Sequence, residues 1–274
     1  MNALPLQWVL LCEDESDAEL TTGLADRHAM EPHHGLEQWI RDNLDSYRKW
    51  VLNADEGQCW TWKRIKRVAD RRKLTTHGYQ KRAPGIETAE IRKAVLVISD
   101  RGHANPAGIL MHRDTDGKPE RREGFRRSVE NYNRESLMAG GTRIFLCLAL
   151  PHPETEAWLL AAFEPKTESG RAALERERQK LGFDPRVHAE RLNPGREATR
   201  EGLEVKTSTK RILEELLCAE QISRESCWKE LSLDILWERG GETGLREFFV
   251  HLEQYFFKSL RMAAGLAVAP PNLG

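Results

Sequence analysis

The chain has 274 residues and a formal net charge of −1, because 42 Lys and Arg nearly balance 43 Asp and Glu. With 39% apolar and 31% charged residues, its composition is typical of a globular protein and excludes an intrinsically disordered chain. The longest apolar runs, such as residues 144–150, are much shorter than the ~20 residues that cross a bilayer. We therefore expect no membrane span and no membrane partner.

The cysteines and the N-terminus indicate a cytoplasmic protein. No two cysteines form a C-x-x-C pair, and their number is odd, so the sequence favours reduced thiols over a zinc site or a disulfide framework. The N-terminal apolar stretch leads into acidic residues and lacks a basic start, so a secretory signal is not expected. The cysteines are Cys12, Cys59, Cys147, Cys218 and Cys227.

Short apolar segments alternate with helical patterns along the chain. Helical spacing of apolar residues predicts helices over 35–52, after Pro119, over about 209–217 and near 245–256. Residues 164–204 combine a charged helical run with turn residues and are interpreted as a connector. The alternation predicts an α/β fold with a mostly parallel sheet flanked by helices. The four predicted strands are 6–12, 94–99, 107–112 and 143–150.

The charges are unevenly distributed along the chain. Residues 1–62 carry 4 basic and 12 acidic side chains, whereas residues 63–82 carry 9 basic and 1 acidic. A dense basic segment gains affinity for phosphates through counterion release, so it is a candidate nucleic-acid contact. The alternative is a solvated helix face that balances the acidic segment. The candidate contacts are Lys63, Arg64, Lys66, Arg67, Arg71, Arg72 and Lys73.

Acidic residues follow three of the predicted strands. Ligands in open α/β sheets bind outside the carboxyl ends of the strands, so these acids stand at the expected place for a site. Hard oxygen ligands with no accompanying zinc motif favour Mg²⁺ or Mn²⁺. Each group also has a structural interpretation. Glu13 and Asp17 could be acids that favour a helix dipole, residues 114–117 a tight Asp-Thr-Asp-Gly turn, and Glu154 with Glu156 helix-capping acids. The candidate ligands are Glu13, Asp17, Asp114, Asp116, Glu154 and Glu156.

The order of these acids resembles the Toprim pattern of topoisomerases, DnaG-type primases and OLD-type nucleases. In that pattern a Glu follows the first strand, here Glu13, and a D-x-D follows a later strand, here Asp114 and Asp116. The spacing from Glu13 to Asp17 is similar to the OLD branch. The string at 152–160 resembles stand-alone Toprim-like proteins that accompany an ATPase, often in antiviral defence.

This resemblance implies an α/β Toprim-like core over 1–165, with a helical insertion at about 31–90, and a helical C-terminal region over 166–274. It also implies a Mg²⁺- or Mn²⁺-dependent nuclease that acts on DNA or RNA. Asp114 and Asp116 would hold one ion and Glu13 with Asp17 the other, while Glu154 or Glu156 completes the ligand shell. The cations expected to meet phosphate charge are Lys206, Lys210, Arg211 and Arg113.

Two alternatives remain open. Asp14 stands where Toprim proteins usually have Gly, so the chain could be a non-catalytic binding subunit of an ATPase complex. The string at 109–118 also resembles the first motif of haloacid-dehalogenase phosphatases, in which Asp114 would be the nucleophile and Asp116 the general acid. No phosphate-binding G-x-x-x-x-G-K-[ST] loop occurs, so any ATP dependence would come from a partner.

Two groups of aromatic residues suggest contacts with other molecules. The tryptophans mostly lie on helical apolar faces and are expected in the core. The alternative for Trp60 and Trp62, ahead of the basic segment, is stacking on bases. A C-terminal apolar stripe could contact an ATPase or a second copy of the chain, unless it belongs to the core. The stripe comprises Leu245, Phe248, Phe249, Leu252 and Phe256.

Overall fold

The computed structural model describes residues 5–32, 36–52, 59–76, 85–100, 106–138, 144–194 and 207–266. It confirms an α/β fold with a mostly parallel sheet flanked by helices and with a helical C-terminal part. The strands are β1 (Leu6–Cys12), β2 (Arg48–Val51), β3 (Trp60–Thr61), β4 (Gly108–His112) and β5 (Phe145–Ala149).

Six helices, α1 to α6, lie between β1 and β5 along the chain. Their bounds are α1 (Ser16–Met30), α2 (Gln38–Arg41), α3 (Leu44–Tyr47), α4 (Trp62–Arg71), α5 (Ile86–Asp100) and α6 (Pro119–Met138).

The remaining helices follow β5. They are α7 (Thr155–Ala162), α8 (Glu168–Leu181), a 3₁₀ turn (Ala189–Arg191), α9 (Thr209–Glu220), α10 (Arg224–Glu230), α11 (Leu233–Arg239), α12 (Leu245–His251), a π-helical segment (Leu252–Phe257) and α13 (Lys258–Ala263).

The sheet has the strand order β2-β1-β4-β5, and β3 also pairs with β1. All three pairings of β1 are parallel. Leu11 pairs with Trp60 of β3 and with Met111 of β4, so these two strands lie on opposite sides of β1. Since β2 pairs with the first half of β1 and β3 with its end, the two short strands are halves of one interrupted edge strand.

Two sequence predictions were wrong at the level of elements. The apolar segment 94–99 lies in α5 and is not a strand. The helix predicted over 35–52 is replaced by α2, α3 and β2. The expected helical insertion at about 31–90 therefore includes two strands that extend the sheet beside β1.

The chain divides into two compact units whose segments alternate along the sequence. The first unit comprises Met1–His112, Glu123–Leu148 and Val250–Gly274; the second comprises Arg113–Arg122 and Ala149–Phe249. These boundaries differ from the predicted division at residue 165, which stays a prediction.

The core of the first unit is built around Trp8 of β1. Its ring meets Phe256 at 5.1 Å between centroids, and its Nε1 donates a hydrogen bond to Ser259 at 3.2 Å. Gly108, its cross-strand partner on β4, gives the Trp8 ring room, because a Cβ there would lie 2.6 Å from Cζ2. The indole of Trp8 thus anchors the π-helical segment and α13 on the sheet.

The second unit is helical and is organised around α7. The ring of Trp158 stacks on Phe248 at 5.4 Å, and its Nε1 donates to the carbonyl oxygen of Thr243 at 2.8 Å. α8 and α9 pack together, and the buried Glu177 of α8 accepts a 2.7 Å hydrogen bond from Arg211 of α9.

Candidate functional site

In the first unit, acidic residues gather at the carboxyl end of β1. Glu13 follows the last strand residue directly and is half-buried. Asp17 lies in the first turn of α1 with only 7% of its surface exposed. The backbone N–H of Asp14 donates to Asp17 Oδ2 at 3.2 Å, which ties this carboxylate to the loop after the strand.

A buried histidine that the sequence reasoning missed faces Asp17. His112 is the last residue of β4, is 0% exposed, and places Nδ1 3.6 Å from Asp17 Oδ2. Trp62 Nε1 donates to the carbonyl oxygen of His112 at 2.8 Å, which fixes the backbone at this strand end. The available signal was a single titratable residue that ends an otherwise apolar strand.

The electrostatic environment of Cys12 is negative. Burial, followed by the nearby Cys59 and the negative charges of Asp17, Asp14 and Glu13, raises the pKa of the Cys12 thiol. The thiol is therefore neutral at physiological pH. The same acids create a potential at the end of β1 that favours a cation.

In the second unit, Asp114 is held at the start of α7. Its Oδ1 accepts hydrogen bonds from the backbone N–H of Thr155 at 3.0 Å and from the Thr155 hydroxyl at 2.9 Å. Thr155 is buried and is the first residue of α7, so one residue positions the carboxylate through two donors. Thr155 was not among the residues predicted to form the site.

Thr115, the residue after Asp114, contacts His152. Thr115 is 1% exposed, and its Oγ1 lies 2.7 Å from His152 Nδ1 and donates to the Pro151 carbonyl oxygen at 3.0 Å. Burial and the positive charge of Arg122 lower the pKa of His152, so its imidazole is neutral at pH 7.

The period-two alternation of a strand would point the side chains of Asp114 and Asp116 the same way, but this pair does not lie in a strand. Asp116 has φ +52°, in the left-handed region, and lies in a turn after the strand has ended. Strand alternation therefore does not extend to Asp116. Its carboxylate forms an ion pair with Arg121, whereas Asp114 contacts Thr155.

The two acids of the third group also have protein partners. Glu154 precedes α7, and it accepts a hydrogen bond from the Thr209 hydroxyl. The Thr209 backbone N–H in turn donates to the carbonyl oxygen of Asn193 at 3.1 Å. Glu156 forms an ion pair with Arg224. Asp114 and Glu154 are thus both held at the first turn of α7.

The predicted ligands fit a hard divalent cation by donor chemistry, because all six are carboxylates. Within the ranges that the structure describes, no three or more His, Cys, Asp or Glu side chains are arranged to hold a metal ion. In this conformation Asp116 and Glu156 are neutralised by arginines instead.

The predicted phosphate-facing cations have different surroundings. Lys206 lies outside the described residues, and Lys210 is exposed on α9. Arg211 donates to Glu177 at 2.7 Å and to Glu215 at 2.8 Å, so it is engaged in helix pairing. Arg113 is half-buried, and its backbone N–H donates to Ala149.

The first nine residues of the basic segment, 63–71, lie in α4, which has one apolar and one charged face; residues 77–82 lie outside the described ranges. The buried side is formed by Trp62, Ile65, Val68 and Ala69. The exposed charged residues of the helix and the turn after it are Lys63, Lys66, Arg67, Asp70, Arg71, Arg72 and Lys73.

Two basic residues of this segment have partners in the first unit. Arg64 lies over the ring of Trp60 at 5.5 Å, and Arg72 forms an ion pair with Asp100. Trp60 is 0% and Trp62 6% exposed, so both belong to the core, and the alternative of base stacking by them was wrong.

The C-terminal apolar stripe is part of the core. Leu245, Phe248, Phe249, Leu252 and Phe256 are each 0% exposed, so they present no surface to a partner. No helix within the described ranges has the length and apolar character needed to cross a membrane.

Fold and site together define an α/β protein with a parallel sheet and carboxylates placed just after its strand ends. The chain matched no protein-family model, no curated protein and no solved structure when it was compared with them.

Proposed function

We propose that this chain is a Mg²⁺- or Mn²⁺-dependent nuclease of Toprim type that hydrolyses phosphodiesters in nucleic acid. The observation that supports it is the placement of acids after three strands, β1, β4 and β5, that are consecutive neighbours in the sheet. β4 runs parallel to β1, and hydrogen bonds from Phe145 to Ala107 and from Arg113 to Ala149 give β5 the same direction. Ligands of open α/β sheets bind at such carboxyl ends.

Divalent cations would supply charge stabilisation for the attacking and leaving oxygens of the phosphate. Glu13 and Asp17 are the candidate ligands in the first unit, and Asp114 with Glu154 in the second. The chain's own contribution is positioning: Thr155 fixes Asp114, and the Thr209 hydroxyl fixes Glu154. Such fixed ligands lower the cost of ordering them when a cation binds.

Asp116 and Glu156 differ from these four candidate ligands because each already forms an ion pair within the protein. Each is paired with an arginine, so each would have to exchange an ion pair for a metal contact. This pairing also favours the second candidate, a non-catalytic Toprim-like subunit that acts with an ATPase in a phage-defence complex. Its contact surface would lie elsewhere than the buried C-terminal stripe.

The decisive experiment compares cleavage by wild type and Asp114→Asn. Linear and supercoiled DNA and single-stranded RNA are incubated with EDTA, Mg²⁺ or Mn²⁺. We expect metal-dependent cleavage by the wild type and a loss of at least about 100-fold in Asp114→Asn, because the ligand charge is removed. Glu214→Gln is the matched control, since Glu214 is an exposed carboxylate on α9.

The alternatives predict different outcomes of this assay. No cleavage by the wild type with any metal, together with ATPase recovery from the native host, would favour the binding subunit. Release of phosphate from a small monoester, lost in Asp114→Asn, would favour the phosphatase.

The cytoplasmic location is part of the proposal and rests on the five cysteines, which are free thiols in the structure.

A further inference from the structure

The exposed face of α4 is a separate charged surface whose substrate preference follows from its composition. From Trp62 to Lys73 there are seven basic residues and one acidic residue, Asp70. Four of the basic ones, Lys63, Lys66, Arg67 and Arg71, recur at helical spacing on one side and are exposed. We refer to these four residues as the α4 basic face.

These cations have no carboxylate partner in the part of the chain that the structure describes. The neighbouring Arg72 differs, because Asp100 of α5 neutralises it. Buried Trp62, Ile65 and Val68 fix the orientation of α4, so the four charges are held on the solvent side of an ordered helix. Fixed, unpaired charges favour binding of a polyanion.

The α4 basic face contains no aromatic ring on which a base could stack. Both tryptophans next to it are buried, so no indole of this segment is available for stacking. Proteins that bind single strands generally combine positive charge with aromatic stacking platforms. Contacts to phosphates alone favour a duplex over a single strand, because a duplex carries about twice the negative charge per unit length.

We propose that the α4 basic face binds the phosphate backbone of double-stranded DNA without reading its sequence. Lys63 and Arg71 are eight residues apart, about 12 Å along the helix axis at ~1.5 Å per residue. Over that length duplex DNA offers a high density of negative charge, about one charge per 1.7 Å of its axis. The inference rests on the proposed nuclease function only for the identity of the substrate.

The test measures binding in EDTA, so that cleavage plays no part. Fluorescence anisotropy with a labelled 25-base-pair DNA duplex, its single strands and the matching RNA duplex is recorded across a range of salt concentrations. We expect the DNA duplex to bind at least tenfold more tightly than its single strands, and equally for unrelated sequences.

The informative variant is Lys63→Gln/Arg67→Gln. If both residues contact phosphates, the slope of log affinity against log salt becomes shallower by about 1.8, at about 0.9 for each lost contact on duplex DNA. The matched control is Arg134→Gln/Arg176→Gln, which removes the same charge from exposed positions on α6 and α8. The single variant Arg71→Gln, expected to change the slope by about 0.9, tests the other end of the face.

An unchanged slope in Lys63→Gln/Arg67→Gln would overturn the proposal, as would equal or tighter binding of single strands or tighter binding of the RNA duplex. Because all substituted positions are exposed, circular dichroism melting curves should match the wild type. A protein that binds duplex DNA in this way but never cleaves it would contradict the proposed nuclease and leave this inference intact. Metal-dependent cleavage with an unchanged salt slope would support the nuclease and overturn this inference.

Discussion

Asp114 illustrates how individual residues shape the candidate site. A carboxylate placed after a strand is also a common turn residue, and the sequence left both interpretations open. The two hydrogen bonds from Thr155 give the side chain a defined position at the start of α7. Hydrogen bonds to a charged group contribute ~1.5–3 kcal/mol, enough to order one carboxylate rotamer.

Thr155→Val is expected to separate positioning from charge. It removes the hydroxyl donor to Asp114 and keeps the backbone donor and the side-chain volume. We expect a several-fold rise in the Mg²⁺ concentration that gives half-maximal cleavage, with Asp114 still present. Thr155→Ser, which keeps the hydroxyl, should behave like the wild type. Equal metal dependence in the Val and Ser variants would contradict a positioning role.

Residues that single-sequence reasoning missed share one property: their partners are distant along the chain. Thr155 contacts Asp114, 41 positions away, and Thr209 contacts Glu154, 55 positions away. His112 meets Asp17 only because β1 and β4 are neighbours. Spacing along the chain identified the acids, but only the folded chain shows which donors hold them.

At the scale of elements, the errors came from segments whose local pattern is ambiguous. Residues 94–99 are mostly apolar, yet they lie in α5, where Val95 and Ile98 are buried and Leu96 is exposed. A short apolar run is compatible with a strand or a buried helix. Residues 48–51 continued a helical pattern but pair with β1. Pairing with a distant strand overrides local propensity there. Strands β1, β4 and β5 and helices α6, α9 and α12 were predicted from their apolar patterns, of which the pattern of α6 was the weakest.

The pairing of β1 with β4 gives a prediction about packing. A methyl group at Gly108 would overlap the ring of Trp8, so Gly108→Ala should lower the free energy of unfolding by about 1–3 kcal/mol. Gly85→Ala is the matched control, because a Cβ there meets nothing closer than 4.0 Å. Chemical denaturation measures both. A cost for Gly108→Ala no larger than for Gly85→Ala would show that the Trp8 ring can move aside.

The loop after α8 gives a prediction about pH. Burial alone would raise the pKa of Asp184, but hydrogen bonds from Arg186 and Arg178 outweigh it and lower the pKa from its ordinary value of 3.8 to about 2. A lowered pKa stabilises the fold above the ordinary value, and this contribution is lost as the pH falls from about 4 to about 2.

Asp184→Asn should therefore reduce the free energy of unfolding by about 2 kcal/mol at pH 7. The difference from the wild type should shrink below pH 4 and vanish near pH 2. Urea denaturation at a series of pH values measures this, with Asp234→Asn as a control on the exposed start of α11. A difference that does not depend on pH would assign the effect to packing.

At the scale of the whole molecule, composition and periodicity were sufficient for the fold class. The alternation of strands and helices predicted a parallel sheet, and the structure has one. The two compact units were not predictable, because each is assembled from segments that are far apart in sequence. The predicted boundary at residue 165 was inferred from local composition alone, which does not show such long-range assembly.

Binding of a cation should be visible as stabilisation of the whole chain. An ion that binds the folded state and not the unfolded state adds about 2.7 kcal/mol of stability at 100 times its Kd. We expect Mg²⁺ or Mn²⁺ to raise the melting temperature of the wild type above that in EDTA, and to raise it much less in Glu13→Gln and in Asp114→Asn.

Glu214→Gln, which removes an exposed carboxylate from α9, should keep the full metal-induced shift. The same shift in all four proteins would show that the cations bind at unrelated surface acids. If Glu13→Gln alone loses the shift, the ion belongs to the carboxyl end of β1, where Asp17 and His112 lie. If only Asp114→Asn loses it, the ion belongs to the start of α7. Thermal denaturation followed by circular dichroism therefore assigns the metal to a residue without requiring any catalytic activity.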